Sequence, residues 1–214
     1  IVYKNANIDL LYDDGSVYNI TDLYRKNLSV DKTINHVFFK NHAYLSCGFG
    51  VLVVNLSKKE IHDTYYIAKL GEAVSVKSIT AHKGHFYAIT EDSLYVATEN
   101  SLLTNYENWK TEKTIPAGKN AKVLTFNNYL WILKKDGSLF YKSDANWEKF
   151  SNDKWNDCIL SNNRLFVLKS DTIKMLSSNT DQTALPLQSS FAVYDNATNN
   201  CWITTRNDSL LKVD

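Results

Sequence analysis

The sequence predicts an all-β protein built from a repeated hairpin. Short runs rich in β-branched and aromatic residues recur along the whole chain, and turn residues separate them. Among these turn residues, the pairs Asp14-Gly15, Asp136-Gly137 and Asn207-Asp208 tolerate the positive φ that tight hairpins require. No window keeps the apolar spacing of an amphipathic helix; residues 20–28 come nearest, and for them we expect one helical turn or a loop.

The segment from Ala43 to Ile67 shows the repeating unit most clearly. Residues 43–47 form a first β-rich run, Gly48-Phe49-Gly50 interrupts it, and residues 51–54 restart it. The polar turn Ser57–Glu60 leads to a third run that ends at Ile67. With residues 35–39 in front, this segment predicts a four-stranded antiparallel sheet.

The same hairpin recurs six times, which makes chance an improbable source. If Leu10, Tyr44, Tyr87, Trp131, Phe166 and Trp202 are equivalent, the steps are 34, 43, 44, 35 and 36 residues. Steps of this size lie near the period of propeller blades, roughly 40–50 residues, and overlap its lower end. The hairpins cover residues 8–20, 42–56, 85–98, 129–143, 164–178 and 200–213.

The sequence therefore predicts a β-propeller of four-stranded antiparallel blades, with about five to six blades of a larger propeller in this chain. We expect one domain over residues 1–214, because no linker or charge block divides it. Residues 1–20 supply three strands of a first blade and residues 191–213 the first three of a sixth. Either the two ends form one composite blade, or neighbouring sequence is missing. Four strands are expected for the third blade (76–81, 86–90, 94–98, 109–115), the fourth (123–126, 130–133, 138–141, 147–150) and the fifth (158–160, 165–168, 173–176, 182–185).

Composition excludes several classes of function. A net charge of +1 argues against nucleic-acid binding, which needs a clustered basic excess. No apolar run reaches the roughly 18–20 residues of a membrane span. The chain begins with Ile-Val-Tyr and not with Met, so we expect a processed product or an excised piece. Cys47, Cys158 and Cys201 are too far apart in sequence to suggest a zinc site, and we expect buried thiols.

We expect no catalytic residue, no metal site and no cofactor, because the sequence carries no catalytic motif. Arg25, Arg164 and Arg206 invite comparison with the arginine triad of sialidases, which are propeller hydrolases. However, Arg164 opens a hairpin, Arg206 lies at a turn, and the Phe-Arg-Ile-Pro segment of sialidases is absent. His82 and His85 lie three residues apart in a predicted turn, without the further ligands that zinc needs.

Three tryptophans are weak candidates for ligand binding. Trp109, Trp147 and Trp155 each follow an Asn- or Asp-containing segment. Indole rings stack on sugar faces, so a ring of tryptophans would form a glycan platform. The simpler interpretation is that each ring packs between adjacent blades. Ser143–Trp147 also resembles the Asp-box turn of sialidase-like propellers, without its glycine, and that turn is structural.

Four segments resemble the N-terminal propeller of the PorZ family, a component of the type IX secretion system of Bacteroidota. They are residues 7–11, 31–35, 43–50 and 63–67. The resemblance is specific over residues 1–98, and beyond them the pattern is that of propellers in general. It implies a longer polypeptide with two seven-bladed propellers and a C-terminal secretion domain. No binding residue is carried over, because the matching segments lie on strands and tight turns.

The resemblance implies a non-enzymatic scaffold at the outer-membrane surface or in the periplasm. There the family works with the PorU sortase and is thought to present lipopolysaccharide for attachment to exported cargo. The implied partners are sortase and secretion proteins and lipopolysaccharide or another glycan. An alternative is the periplasmic ligand-sensing propeller of a hybrid two-component regulator, although its blades are more uniform in length than steps of 34 to 44 residues. A propeller hydrolase would need convergent carboxylates or arginines.

Overall fold

The computed structural model describes residues 1–3, 6–25, 30–143, 146–177, 182–187, 189–195, 197–198, 200–205 and 209–213. The chain forms two compact units, Ile1–Ile115 (unit 1) and Pro116–Asp214 (unit 2). Within the described residues, each unit contains three antiparallel sheets. No helix in the described ranges is long and apolar enough to cross a membrane. That the two units form one domain stays a prediction.

Unit 1 begins with a two-stranded sheet. Strands β1 (Ile8–Leu11) and β2 (Val17–Ile20) pair antiparallel. Val2 bridges Ile8, so an isolated bridge stands where a third strand was expected. The helix α1 (Asp22–Arg25) follows as the single turn that the sequence predicts.

The second sheet is the one centred on Ala43 to Ile67. Strands β3 (Ile34–Phe39), β4 (Ala43–Cys47), β5 (Gly50–Asn55) and β6 (Glu60–Tyr65) pair in sequence order. The fourth strand begins at Glu60, inside the segment that the sequence assigned to a turn, because the left-handed residue Lys59 (φ 58°) ends the turn.

The third sheet completes unit 1. Its strands are β7 (Ser78–His82), β8 (His85–Ile89), β9 (Leu94–Thr98) and β10 (Lys110–Thr111). The outer strand is much shorter than the expected residues 109–115. Two 3₁₀ helices lie in the connections of this unit, Lys69–Gly71 before β7 and Tyr106–Asn108 before β10.

Unit 2 opens with a four-stranded meander. Strands β11 (Asn120–Phe126), β12 (Tyr129–Lys134), β13 (Leu139–Ser143) and β14 (Asn146–Lys149) pair in sequence order, as predicted. The two-residue turn Asn127-Asn128 has φ values of 48° and 59°, the left-handed pair that tight hairpins need.

The second sheet of unit 2 repeats the pattern. Strands β15 (Asp157–Ser161), β16 (Arg164–Leu168), β17 (Ile173–Leu176) and β18 (Gln182–Leu185) match the four expected strands. The β15–β16 turn again uses two left-handed asparagines, Asn162 (φ 44°) and Asn163 (φ 58°).

The last sheet has three strands, as the sequence predicts. They are β19 (Ser189–Asp195), β20 (Asn200–Thr205) and β21 (Leu210–Val213). The expected turn Asn207-Asp208, the arginine Arg206 and the pair Asp144-Ala145 lie outside the described residues.

The three cysteines are free and buried within strands β4, β15 and β20, as expected. Burial raises the pKa of Cys47 and of Cys158 to about 12, and it also raises the pKa of Cys201. A thiol with so high a pKa carries little thiolate at neutral pH, so these cysteines behave as small apolar side chains.

Alternate residues of the central strands enter different cores. On β4, Leu45 and Cys47 pack in the core that includes the first sheet, whereas Tyr44 packs in the core shared with the third sheet. In unit 2, Leu165 packs against the β11–β14 sheet and Phe166 against the β19–β21 sheet. Because successive side chains of a strand point to opposite faces, these strands are buried on both sides and read as continuous apolar runs.

We expect Tyr44→Ala and Trp131→Ala each to lower the free energy of unfolding by about 3–5 kcal/mol, because each removes a large buried ring and leaves a cavity. Tyr44 is 6% exposed and Trp131 is 1% exposed. Chemical denaturation checks this. The exposed aromatic Phe39 is the control, and Phe39→Ala should change stability by less than about 0.5 kcal/mol. Equal effects of all three substitutions would contradict the strand assignment.

Gly50 allows a close approach between β5 and β6. Its φ is 149°, and a Cβ atom there would collide with the carbonyl oxygen of Tyr65. We expect Gly50→Ala to destabilise by at least about 3 kcal/mol, because the obstacle is backbone and cannot turn aside. Gly15 also has a positive φ (80°) but no atom within 4 Å of such a Cβ, so Gly15→Ala should cost only about 1–2 kcal/mol. If Gly50→Ala and Gly15→Ala had the same denaturant midpoint, the proposed collision would be disproved.

Candidate functional site

A cleft of about 370 Å³ opens between the second and third sheets of unit 1. Its walls are the β3–β4 turn (residues 40–42), residues 62–65 of the outer strand β6, and the loop of residues 99–104 after β9. The rings of Tyr44 and Phe86 complete the lining. We call this the unit 1 cleft; its volume is within the range of small-molecule sites.

The register of the second sheet decides which side chains enter the cleft. Tyr44 lies opposite Val53, and Val53 lies opposite Asp63, so these three side chains share one face. The register then shifts, because Val54 pairs with Ile61. His62 is therefore the extra residue of a β-bulge, a device that redirects side chains at sheet edges and sites.

Two histidines stack at the mouth of the cleft. The rings of His42 and His62 are parallel within 9°, and their centroids lie 5.0 Å apart. The Nε2 atom of His62 lies 3.5 Å from a carboxylate oxygen of Asp63.

An internal ion pair lies beside this stack. The ammonium of Lys40 donates a hydrogen bond to the carboxylate of Glu99. The same ammonium lies 5.8 Å from the ring centroid of Phe86, within the range of a cation–π contact. The cleft thus already combines a carboxylate and an aromatic face around one ammonium group.

Two tyrosine hydroxyls open onto the cleft. Tyr44 and Tyr65 are each only 6% exposed, and neither hydroxyl has a hydrogen-bond partner within the described residues. Burial raises the pKa of both, and the charges of Glu99 at Tyr44 and of Asp63 at Tyr65 raise it further. Both therefore stay neutral at physiological pH, able to donate or accept a hydrogen bond.

Trp109 lies in the core of unit 1. It is 5% exposed, its Nε1 donates to the carbonyl of Leu103 at 2.9 Å, and its ring contacts Tyr65 at 6.2 Å. One edge of the indole also lines a separate cavity of about 430 Å³ that includes Tyr95 and Tyr106.

The other two candidate tryptophans lie in unit 2. Trp155 is 2% exposed, its Nε1 donates to Ser151 at 3.2 Å, and the ammonium of Lys174 lies 5.3 Å from its ring. Trp147 is half-buried, and Lys142 lies 5.7 Å from its ring. Burial of Trp109 and Trp155 is what the packing interpretation expects; a ligand-binding role for the three stays a prediction.

Lysines and aspartates alternate around Trp155. Lys154 donates to Asp136 at 2.6 Å, and Lys169 donates to Asp153 at 3.3 Å. The hydrogen bond from Lys154, with others from Ser138, lowers the pKa of Asp136 to about 2. Because Asp136 is largely exposed, the pair contributes little to stability.

The remaining candidates form no catalytic constellation that the described residues reveal. His82 and His85 face each other across the β7–β8 turn. Within the described ranges, no group of three or more His, Cys, Asp or Glu side chains is arranged to hold a metal ion. Of the three arginines, Arg164 lies over the ring of Tyr194 and lines a cavity of about 270 Å³, whereas Arg206 is outside the described residues.

No sequence motif joins His42 to the adjacent pair His62 and Asp63, which lies twenty residues further along the chain. The structure brings these three residues together at one end of the second sheet. The strand register would have revealed this grouping. Tyr44 pairs with Val53 and Val53 pairs with Asp63, so Tyr44 and Asp63 lie in one row across the sheet. The bulge at His62 shifts this register, so the alternation of residues in the sequence does not show that His62 lies beside His42.

Comparison with known proteins supports the fold class first. The repeated four-stranded antiparallel sheets are those of propeller blades, and the chain covers part of a larger propeller of known structure. Residues 1–110 match the family described as "TSS9, PorZ, N-terminal beta-propeller domain". The chain belongs to this family. No curated protein sequence matches it.

Solved structures show the same architecture at low sequence identity. PorZ from Porphyromonas gingivalis, described as an essential bacterial surface component of the type IX secretion system, is 21% identical with a TM-score of 0.86. The match covers 99% of this chain and 28% of that one, so the chain spans less than a third of its relative.

Two extracellular domains from Bacteroides thetaiotaomicron are also similar. BT4673, a putative one-component system, is 13% identical with a TM-score of 0.69, over 94% of this chain and 31% of that one. BT3049, a putative hybrid two-component system, is 14% identical with a TM-score of 0.62, over 94% of this chain and 30% of that one. At these identities the likeness concerns the fold.

We expect Lys154→Met to raise the pKa of Asp136 from about 2 toward the ordinary value near 4, because the substitution removes the ammonium that stabilises the carboxylate. NMR titration of the carboxyl carbon measures it. Since the folded-state pKa is the lower one, the small stabilisation is present above about pH 4 and is lost as the pH falls through 2. Asp14, whose pKa is lowered by Ser16, is the control and should not change. An unaltered Asp136 pKa would contradict the assignment.

Proposed function

We propose that the chain is a non-enzymatic binding module of the type IX secretion machinery. In this proposal it acts at the cell surface, on the outer membrane or in the periplasm, with the PorU sortase. Its role is to help present lipopolysaccharide for attachment to exported cargo. The observation that carries the proposal is the match of residues 1–110 to the PorZ N-terminal propeller family.

The distribution of side chains in both units supports a role in binding. The central strands bury mainly apolar side chains on both faces, with a few buried polar residues such as Ser46 and Lys134. Turns, outer strands and clefts therefore carry most of the groups available to a ligand. In the unit 1 cleft, charged and aromatic side chains line an open cavity, an arrangement that is suited to binding.

A second function is favoured by a separate observation. The extracellular domains of BT4673 and BT3049 share this fold, with TM-scores of 0.69 and 0.62. A ligand-sensing propeller of a two-component regulator therefore stays as the alternative. The two functions differ in their consequences for the cell, because a secretion component affects cargo whereas a sensor affects transcription.

Deletion of the gene in its own host separates the two. If the proposal is right, exported cargo proteins lose their lipopolysaccharide modification and retain their sorting domains. Electrophoresis of outer-membrane fractions with antibodies to one cargo protein detects both changes. Re-expression of the whole gene is the control, and it should restore modification.

Unchanged cargo in the deletion strain would overturn the proposal. If the strain instead showed altered transcription of a glycan-utilisation locus, the sensor function would be supported. A direct binding assay gives a second measurement. The purified chain should bind lipopolysaccharide from its own host and should not bind lipopolysaccharide that lacks the polysaccharide.

A further inference from the structure

We propose that the unit 1 cleft binds a primary ammonium group. The inference concerns the ligand chemistry of this cleft and does not depend on the proposed role in secretion. Three properties of the lining carry it: a carboxylate without a lysine or arginine partner, two tyrosine hydroxyls that reach the cleft without a hydrogen bond to a described residue, and the aromatic rings of Tyr44 and Phe86.

The carboxylate is Asp63. Its ion-pair contact within the described residues is His62, at 3.5 Å, and that ring is charged only when it is protonated. The other carboxylate of the cleft, Glu99, is already paired with Lys40. The lining contains one lysine, Lys40, and two carboxylates, Asp63 and Glu99, so carboxylates outnumber ammonium groups by one.

The hydroxyls are those of Tyr44 and Tyr65. Both side chains are more than nine-tenths buried and line the cleft, yet no described residue satisfies either hydroxyl. Because both hydroxyls open onto the cleft, a ligand ammonium can donate charge-assisted hydrogen bonds to them, which are stronger than neutral ones. A primary ammonium has three N–H donors, which is the number of acceptors that Asp63 and the two hydroxyls supply.

The aromatic faces add a second reason for a cation. The rings of Tyr44 and Phe86 lie 4.9 Å apart, and π faces attract an ammonium ion within about 6 Å. The protein itself demonstrates this chemistry, because the Lys40 ammonium contacts both the Glu99 carboxylate and the Phe86 ring. A ligand ammonium beside Asp63 would repeat that arrangement at the neighbouring carboxylate.

The binding experiment uses the 214-residue chain and n-butylammonium chloride, with n-butanol as the neutral probe of the same shape. Calorimetry gives the affinity, and NMR shift changes at the Tyr44 and Tyr65 rings give the location. We expect n-butylammonium to bind at least tenfold more tightly than n-butanol. Equal affinities, or shifts outside the cleft, would overturn the proposal.

Three variants assign the contribution of each group. Asp63→Asn should weaken n-butylammonium binding at least tenfold, whereas Asp13→Asn, an exposed aspartate of the β1–β2 turn, should leave it unchanged. Lys40→Met should preserve or strengthen binding, because it removes a competing internal ammonium. If Asp63→Asn fails to fold, Tyr65→Phe keeps the ring volume and should weaken binding by about threefold. Unaltered binding by the folded Asp63→Asn or Tyr65→Phe variant would refute the assignment.

The source of the ammonium group is decided by two further probes. Tighter binding of Nα-acetyl-lysine amide than of glucosamine assigns the site to lysine side chains. The reverse order assigns it to amino sugars. Failure of both probes and of n-butylammonium overturns the inference and leaves the secretion proposal standing, because that proposal is tested through cargo modification.

Discussion

Burial of both faces of the central strands is the constraint on which the structure depends. On β4, successive residues alternate between two cores, with Ala43, Leu45 and Cys47 on one side and Tyr44 on the other. The same alternation on β16 divides its residues between the two cores of unit 2. A sheet that is covered on both sides carries few polar side chains in its centre, because each one needs a hydrogen-bond partner. Ser46 of β4 is an exception, because its hydroxyl is buried without a hydrogen-bond partner among the described residues. Most polar and titratable side chains therefore lie at the ends of strands and on the outer strands.

The unit 1 cleft is a consequence of this distribution of polar side chains. The row Tyr44, Val53, Asp63 begins in the core and ends at the outer strand β6, where a carboxylate replaces the apolar residues of the interior. The bulge at His62 then turns an imidazole toward His42 instead of continuing the alternation. The cleft thus has an apolar floor, which belongs to the core, and a polar rim, which belongs to the turns.

Much of the fold could be predicted from sequence because its signals are local. The runs 43–47 and 51–54 are continuous and apolar, and the turns between strands use residues that tolerate positive φ, such as Asn127, Asn128 and Gly137. The outer strands were harder to predict, because they are half exposed and their sequences mix polar and apolar residues. The strand expected over residues 109–115 contains only two paired residues, because Trp109 turns into the core and a 3₁₀ helix precedes it.

The candidate site could not be predicted in the same way. His42 and His62 are twenty residues apart, and their stacking depends on a register shift that local pattern does not reveal. The same limit applies to Lys134, which ends an apolar run and would be expected at the surface. It is instead 2% exposed, with its ammonium bonded to Asn120 at 2.6 Å, and burial lowers its pKa. Both features depend on which residues lie opposite each other on neighbouring strands. Predicting them therefore requires the strand register, and the periodicity of the sequence is not enough.

The burial constraint also bears on how the cleft would bind. Tyr44, Tyr65 and Phe86 form its floor, and each is also part of the core between the second and third sheets. Their rotamers are fixed by that packing before any ligand arrives, so binding pays little of the usual cost of ordering side chains. The rim residues 40–42 and 99–102 lie on turns at the edge of the cleft, whereas Leu103 of the same loop belongs to the core. Apart from Thr111 of β10, both sheets fall within residues 1–110, the segment that matches the family model, so the floor of the cleft belongs to that segment.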